Sequence, residues 1–135
     1  MSLRFATLDP ANNKDKQQFL GRFKLSKKEH LLKRQQFKHI FNNGNRLKHK
    51  QLLILFMKNQ LGVTRVGFIV PQKNIKLATT RNRTKRLLRE AYRLNKNKTK
   101  QGFDIVLYAN RPVYIYSEAE KVLLYLLNKA GISKA

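Results

Sequence analysis

The chain contains no cysteine, only 7 acidic residues in 135, and no apolar run of membrane-spanning length. Without cysteine there are no disulfides, zinc ribbons or thiol nucleophiles, and a reducing compartment suits the composition. The longest apolar run, "LLILFM" at 52–57, has the length of a strand and falls far short of the roughly 20 residues that cross a bilayer. The first residues, "MSLRFATLDPANNKDKQQFLGRF", lack the apolar core of a secretory signal, and Asp9 and Asp15 break the acid-free pattern of a transit peptide. The expected compartment is therefore the cytoplasm, with no membrane partner. The few carboxylates are dispersed, so no pair is expected to hold Mg²⁺ for phosphoryl chemistry. His30, His39 and His49 show no ligand or catalytic spacing, and Gly-rich phosphate loops are missing. No protein-borne active site is expected.

What the chain has in abundance is positive charge. Lys and Arg number 30 and the formal net charge is +23. A charge of that size repels itself unless a polyanion neutralises it, which makes nucleic acid the first partner to consider. The apolar share of 41% supports a packed core, and the length suits one domain rather than two. Between Glu29 and Glu90 there is no acidic residue, so the first half of the fold carries a purely positive field.

Residues 1–24 are polar and aperiodic and read as a mostly disordered extension, leaving 25–135 as a single domain for a nucleic-acid partner. Phe37, Ile40 and Phe41 recur at helical spacing over 33–43, and "NNG" at 42–44 stops that helix. Ser26 and Glu29 have capping-box spacing that would start it earlier. "QLLILFMK" at 51–58 and "TRVGFIV" at 64–70 predict two strands, joined as an antiparallel hairpin through "NQLG". A helix follows from about 78 to 94, then a strand over 102–109 and a closing helix over 117–130, with Ser117 as N-cap and Gly131 after its end. The expected order is α-β-β-α-β-α, a sandwich of helices around one small sheet, with no internal repeat.

The most informative stretch is "RNRTKRLLREAYR" at 81–93. At 100° per residue Thr84, Leu87, Leu88, Ala91 and Leu94 share one side, which would face the sheet. Arg81, Asn82, Lys85, Arg86, Arg89 and Arg93 share an arc of about 140°, and Arg83 lies just beyond it beside Glu90. Solvated helix faces usually alternate sign at i,i+4, whereas Arg81, Lys85 and Arg89 are like-charge neighbours at that spacing. Their repulsion calls for phosphates, whose neutralisation releases counterions. Phe37, Phe41 and Phe56 read on burial statistics as core, with an apolar floor for unpaired bases as the functional alternative.

These residues together resemble the bacterial ribonuclease P protein component. "RNRTKRLLREAYR" is similar to that family's Arg-Asn-Arg signature helix, "LLKRQQFKHIFNNGNR" at 31–46 to its first helix, "RVGFIVPQKN" at 65–74 to its central strand, and "FDIVLYANRP" at 103–112 to its last strand. The match spans about 25–131. The resemblance implies a two-layer α/β (α+β) sandwich, ribosomal protein S5 domain 2-like, with a small mixed sheet and a left-handed βαβ crossover. It also implies a subunit of the ribonucleoprotein that removes the 5′ leader of precursor tRNA, in which the RNA performs Mg²⁺-dependent hydrolysis and holds most of the Mg²⁺. The implied partners are ribonuclease P RNA and precursor tRNA, with no obligate protein partner. On this reading Arg81, Asn82, Arg83, Lys85, Arg86 and Arg89 bind RNA, while Phe37, Phe41 and Phe56, flanked by Lys33, Arg34 and Lys73, line the cleft for the leader. Pro71 and Gln72 stand where the family usually has a small residue and a lysine. A ribosomal RNA-binding protein of the same basic type, and a nuclease using its histidines, are the alternative functions.

Overall fold

The computed structural model describes residues 25–31 and 33–134; the expected extension over 1–24 lies outside them. Helix α1 (Arg34–Asn43) is followed by strands β1 (Asn45–His49), β2 (Leu52–Lys58) and β3 (Arg65–Ile69), helix α2 (Ala78–Asn95), strand β4 (Phe103–Ala109) and helix α3 (Tyr116–Lys129). The four strands form one mixed sheet in the order β1-β2-β4-β3. β1, β2 and β4 are antiparallel neighbours, and β3 runs parallel to β4, with α2 making the crossover between them.

This order corrects the expected hairpin. β2 and β3 are consecutive in sequence but β4 lies between them. The reason is burial: Asp104 through Leu107 are all buried on β4, and a strand apolar on both faces is satisfied only in the middle of a covered sheet. The supposed turn serves the same end. The Asn59 N–H donates to the Gly102 carbonyl, and its side-chain amide donates to Val63 O and to Asp104 Oδ1 at 2.8 Å, so the loop is tied to the start of β4. Asp104 also accepts two hydrogen bonds from the Arg65 guanidinium, at 2.8 and 2.6 Å, fixing the parallel register of β3 on β4.

Strand β1 was not anticipated. It is a polar edge strand, "NRLKH", with only Leu47 to signal a buried face, and it pairs from Asn45↔Phe56 to His49↔Leu52. The opposite edge, on β3, is covered by a bridge from His30 to Val66 and a hydrogen bond from the Leu31 N–H to the Val66 carbonyl. Ser26 and Glu29 do pair, the carboxylate accepting the Ser26 N–H at 2.8 Å. They close a separate short turn, Lys27–Glu29, and do not extend α1.

The sheet has a layer on each face. On one, Leu52, Ile54, Val66, Phe68, Ile105 and Leu107 pack against α2 and α3 through Leu88, Ala91, Tyr92, Leu123 and Leu126. On the other, Leu55 and Val106 pack with Leu31 and with Ile40 of α1. Helix α3 begins one residue before the expected start, with Ile115 and not Ser117 at its N-cap. Its first turn is held instead by the Tyr116 hydroxyl donating to Glu120 at 2.8 Å, and Gly131 takes φ 76° just past its end, as a helix stop requires.

Candidate nucleic-acid interface

Helix α2 lies on the sheet as its periodicity dictates, with Thr84, Leu88, Ala91, Tyr92 and Asn95 buried. The Thr84 hydroxyl bonds both the N–H and the carbonyl of Val113, fastening the helix to the segment that leads into α3. The basic residues of 81–93 are thereby turned outward, but they do not form a uniform set. Arg81 donates to the Ile75 and Lys76 carbonyls at 2.9 and 2.8 Å, closing the loop that enters the helix. Arg89 lies 5.7 Å from the centre of the Phe68 ring, a cation–π distance. Arg93 approaches Glu90 at 3.8 Å. Asn82, Arg83, Lys85 and Arg86 are exposed and have no hydrogen bond or ion pair among the described residues.

No carboxylate is left to neutralise them. Asp9 and Asp15 fall outside the described residues. The five described acids are each engaged: Glu29 with Lys96 at 3.1 Å, Glu90 with Arg93, Asp104 with Arg65, Glu118 with the Gln51 amide at 3.2 Å, and Glu120 with the Asn95 amide at 3.0 Å and Tyr116. Burial pushes the Glu29 carboxyl up, but the Ser26 N–H and the Lys96 ammonium outweigh it and leave it lowered. Glu120 is lowered by the Asn95 amide against the opposing effect of burial, with help from the Tyr116 hydroxyl and Lys98. None of these carboxylates pairs with Arg83, Lys85 or Arg86, so that part of the stripe keeps its charge uncompensated.

The second surface is the sheet face under α1. Phe37 and Phe41 are half-buried there, together with Leu53, Met57, Ile69 and Tyr108. Phe41 meets Tyr108 edge to face, with centroids 6.4 Å apart and planes at 84°. Phe37 reaches the sheet because β3 has glycine at its contact point: a Cβ on Gly67 would come within 2.5 Å of the Phe37 ring. Lys33 and Arg34 are exposed at the start of α1, and Lys73 is exposed in the loop that leaves β3. Arg46 on β1 donates to the Phe41 carbonyl at 2.8 Å, adding another cation to this face.

Phe56 is placed elsewhere. Strand residues alternate between faces, and Phe56 points with Leu52 and Ile54 to the side of α2 and α3, where it packs against the main core. It does not join Phe37 and Phe41. The residues that do, Leu53, Met57 and Tyr108, were missed because β2 and β4 are apolar on both faces, so their alternation does not say which face belongs to which layer.

Neither surface resembles a metal centre. Among the described residues there is no group of three His, Cys, Asp or Glu able to hold a metal ion. The histidines lie apart: His30 bridges to β3, His39 contacts Asn43 on α1, and His49 stacks on Tyr125 with centroids 3.9 Å apart. No described helix is long and apolar enough to cross a membrane.

The family model described as Ribonuclease P matches residues 25–131. Among curated proteins, the chain is 37% identical over 109 residues to the "Ribonuclease P protein component" of Clostridium botulinum, covering 78% of this chain and 97% of the relative. It is 39% identical over 101 residues to the protein of the same description from Alkaliphilus metalliredigens, covering 73% and 90%. The fold is similar to the RNase P protein of Thermotoga maritima, with a TM-score of 0.65, 34% identity and coverage of 75% and 96%. It also matches the RNase P protein of Staphylococcus aureus, with a TM-score of 0.70, 23% identity and coverage of 78% and 97%.

Proposed function

The chain belongs to the ribonuclease P protein family, and from that premise we propose that α2 holds the catalytic RNA while the sheet face under α1 receives the 5′ leader of precursor tRNA. Membership makes the protein part of an endoribonuclease concerned with tRNA processing, and the partner it implies is ribonuclease P RNA. The division of labour follows from the chemistry of the two surfaces. The outer side of α2 presents exposed cations around Asn82 with no aromatic among them, which suits the phosphate backbone of a structured RNA. Under α1, half-buried rings and nearby cations suit an unpaired strand, whose bases stack while its phosphates meet lysine and arginine. Phe37 and Phe41 carry that role with Tyr108 beside them, and Phe56 is removed from it. Lys33, Arg34 and Lys73 are the flanking cations.

Catalysis is assigned to the RNA, which would hold most of the Mg²⁺. The protein's residues bind and orient. A chain without cysteine, whose described helices are unsuited to a bilayer, fits the cytoplasm as its compartment. The observation that carries the reading is the exposed set Arg83, Lys85 and Arg86 on α2, with which no described carboxylate pairs. Reconstitution tests it: cleavage of precursor tRNA by the cognate RNA at low Mg²⁺ is expected to depend on added protein. Equal rates with and without the protein would overturn the proposal.

A further inference from the structure

At the end of the sheet where β4 begins, the strands do not finish together. β1 starts at Asn45, opposite Phe56, so Met57 and Lys58 extend past it and leave a notch. The notch is an open pocket of about 600 Å³, lined by Asn45, Phe56, Lys58, Lys100, Gln101 and Phe103 and closed at the side by the end of α3 at Ala130 and Gly131. That volume falls in the range of ligand sites. Phe56 and Phe103 are half-buried at its base and pack against the core beneath, so their rings form a fixed floor.

The polar rim consists mostly of donors. Lys58 and Lys100 are exposed and have no acidic partner among the described residues. The Gln101 side-chain oxygen accepts the Thr64 N–H at 3.0 Å, which orients the amide and leaves its NH₂ free to donate. The negative end of α3 is already satisfied: the N–H groups of Ala130, Gly131 and Ile132 turn back onto the Leu126, Asn128 and Leu127 carbonyls. No carboxylate lines the pocket. An aromatic floor below a rim of cations and a free amide is complementary to a planar ring bearing acceptors and an attached phosphate.

We infer that this pocket binds an unpaired nucleotide of the catalytic RNA. The base lies over Phe56 and Phe103, its edge meets the Gln101 amide, and Lys58 and Lys100 take the adjoining phosphates. This inference rests on the RNA-binding reading of α2 and adds a second anchor. The pocket lies beyond the first residue of β4, while α2 starts beyond the far end of its parallel neighbour β3, about one seven-residue strand away, or roughly 20 Å. A single RNA held at both points is fixed in orientation as well as in place.

The test uses the full chain and ribonuclease P RNA without tRNA, with affinity measured over a range of salt. The double variant Lys58→Ala/Lys100→Ala is expected to reduce the slope of log affinity against log salt by about two units. Phe103→Leu, which keeps an apolar side chain against the core, is expected to weaken binding by roughly tenfold or more. Because the chain has no cysteine, Asn45→Cys provides a unique thiol for a photocrosslinker, expected to label an unpaired nucleotide of the RNA. Unchanged slope and affinity in these variants, or labelling only of added precursor tRNA, would overturn the assignment. A parallel Arg83→Ala/Lys85→Ala/Arg86→Ala variant separates the two readings. If it weakens RNA binding while the pocket variants do not, only the pocket inference fails. If it too has no effect, the RNA-binding reading fails with it.

Discussion

Phe37 and Phe41 show how one side chain can serve both packing and binding. Each packs against the second core, which includes Leu55 and Val106, yet each remains half-exposed, Phe37 over Gly67 and Phe41 edge to face with Tyr108. Truncating Phe41 removes the edge-to-face partner of Tyr108 and the stacking surface, while Ile40, the fully buried residue of α1, still holds the helix to the sheet. Phe41→Ala is therefore expected to lower affinity for precursor tRNA more than for mature tRNA, by about 1–3 kcal/mol, in filter-binding measurements with the reconstituted enzyme. Equal losses for the two ligands, with the circular dichroism melt unchanged, would place the leader elsewhere. Phe37 and Phe41 were readable from their helical spacing. Tyr108 was not, because nothing in "FDIVLYA" distinguishes the face that α1 covers.

Among the elements, α2 was the most legible, since period and charge both mark it: its observed range, Ala78–Asn95, departs from the expected 78–94 by one residue. Its stripe nevertheless divides in the structure. Arg81 is used on the Ile75 and Lys76 carbonyls and Arg89 lies over Phe68, so the cations free for a ligand are Arg83, Lys85 and Arg86. Replacing those three with Ala is expected to flatten the salt dependence of RNA binding by about three units. The thermal melt should be unchanged or slightly raised, because like-charge repulsion is relieved. An unaltered slope would mean a face that is merely solvated. Helix α3 is joined to α2 by the Asn95–Glu120 contact. Glu120 has a folded pKa lowered from its ordinary 4.5, first by that amide, so it adds stability above 4.5 that is lost as pH falls through the lower folded value. Glu120→Gln is expected to make urea stability less dependent on pH below that point, and an identical acid profile would contradict it.

For the molecule as a whole, the decisive quantity is its charge of +23, which opposes compactness unless screened or neutralised. The midpoint of thermal unfolding is expected to rise with added salt and to rise further with RNA, which binds the folded state. A midpoint that falls as salt is added would show that pairs such as Arg65–Asp104 and Glu29–Lys96 outweigh the repulsion. The sequence by itself determined the polyanionic partner, the helices, the basic stripe and the family resemblance, because composition, periodicity and motif order are properties of the chain read along its length. Only the tertiary structure decided that β4 separates β2 from β3, that "NRLKH" is a strand, that Phe56 faces away from Phe37 and Phe41, and that a pocket opens beside it. Strand pairing depends on which segments must be buried on both faces at once, and that is settled between distant residues rather than by local pattern.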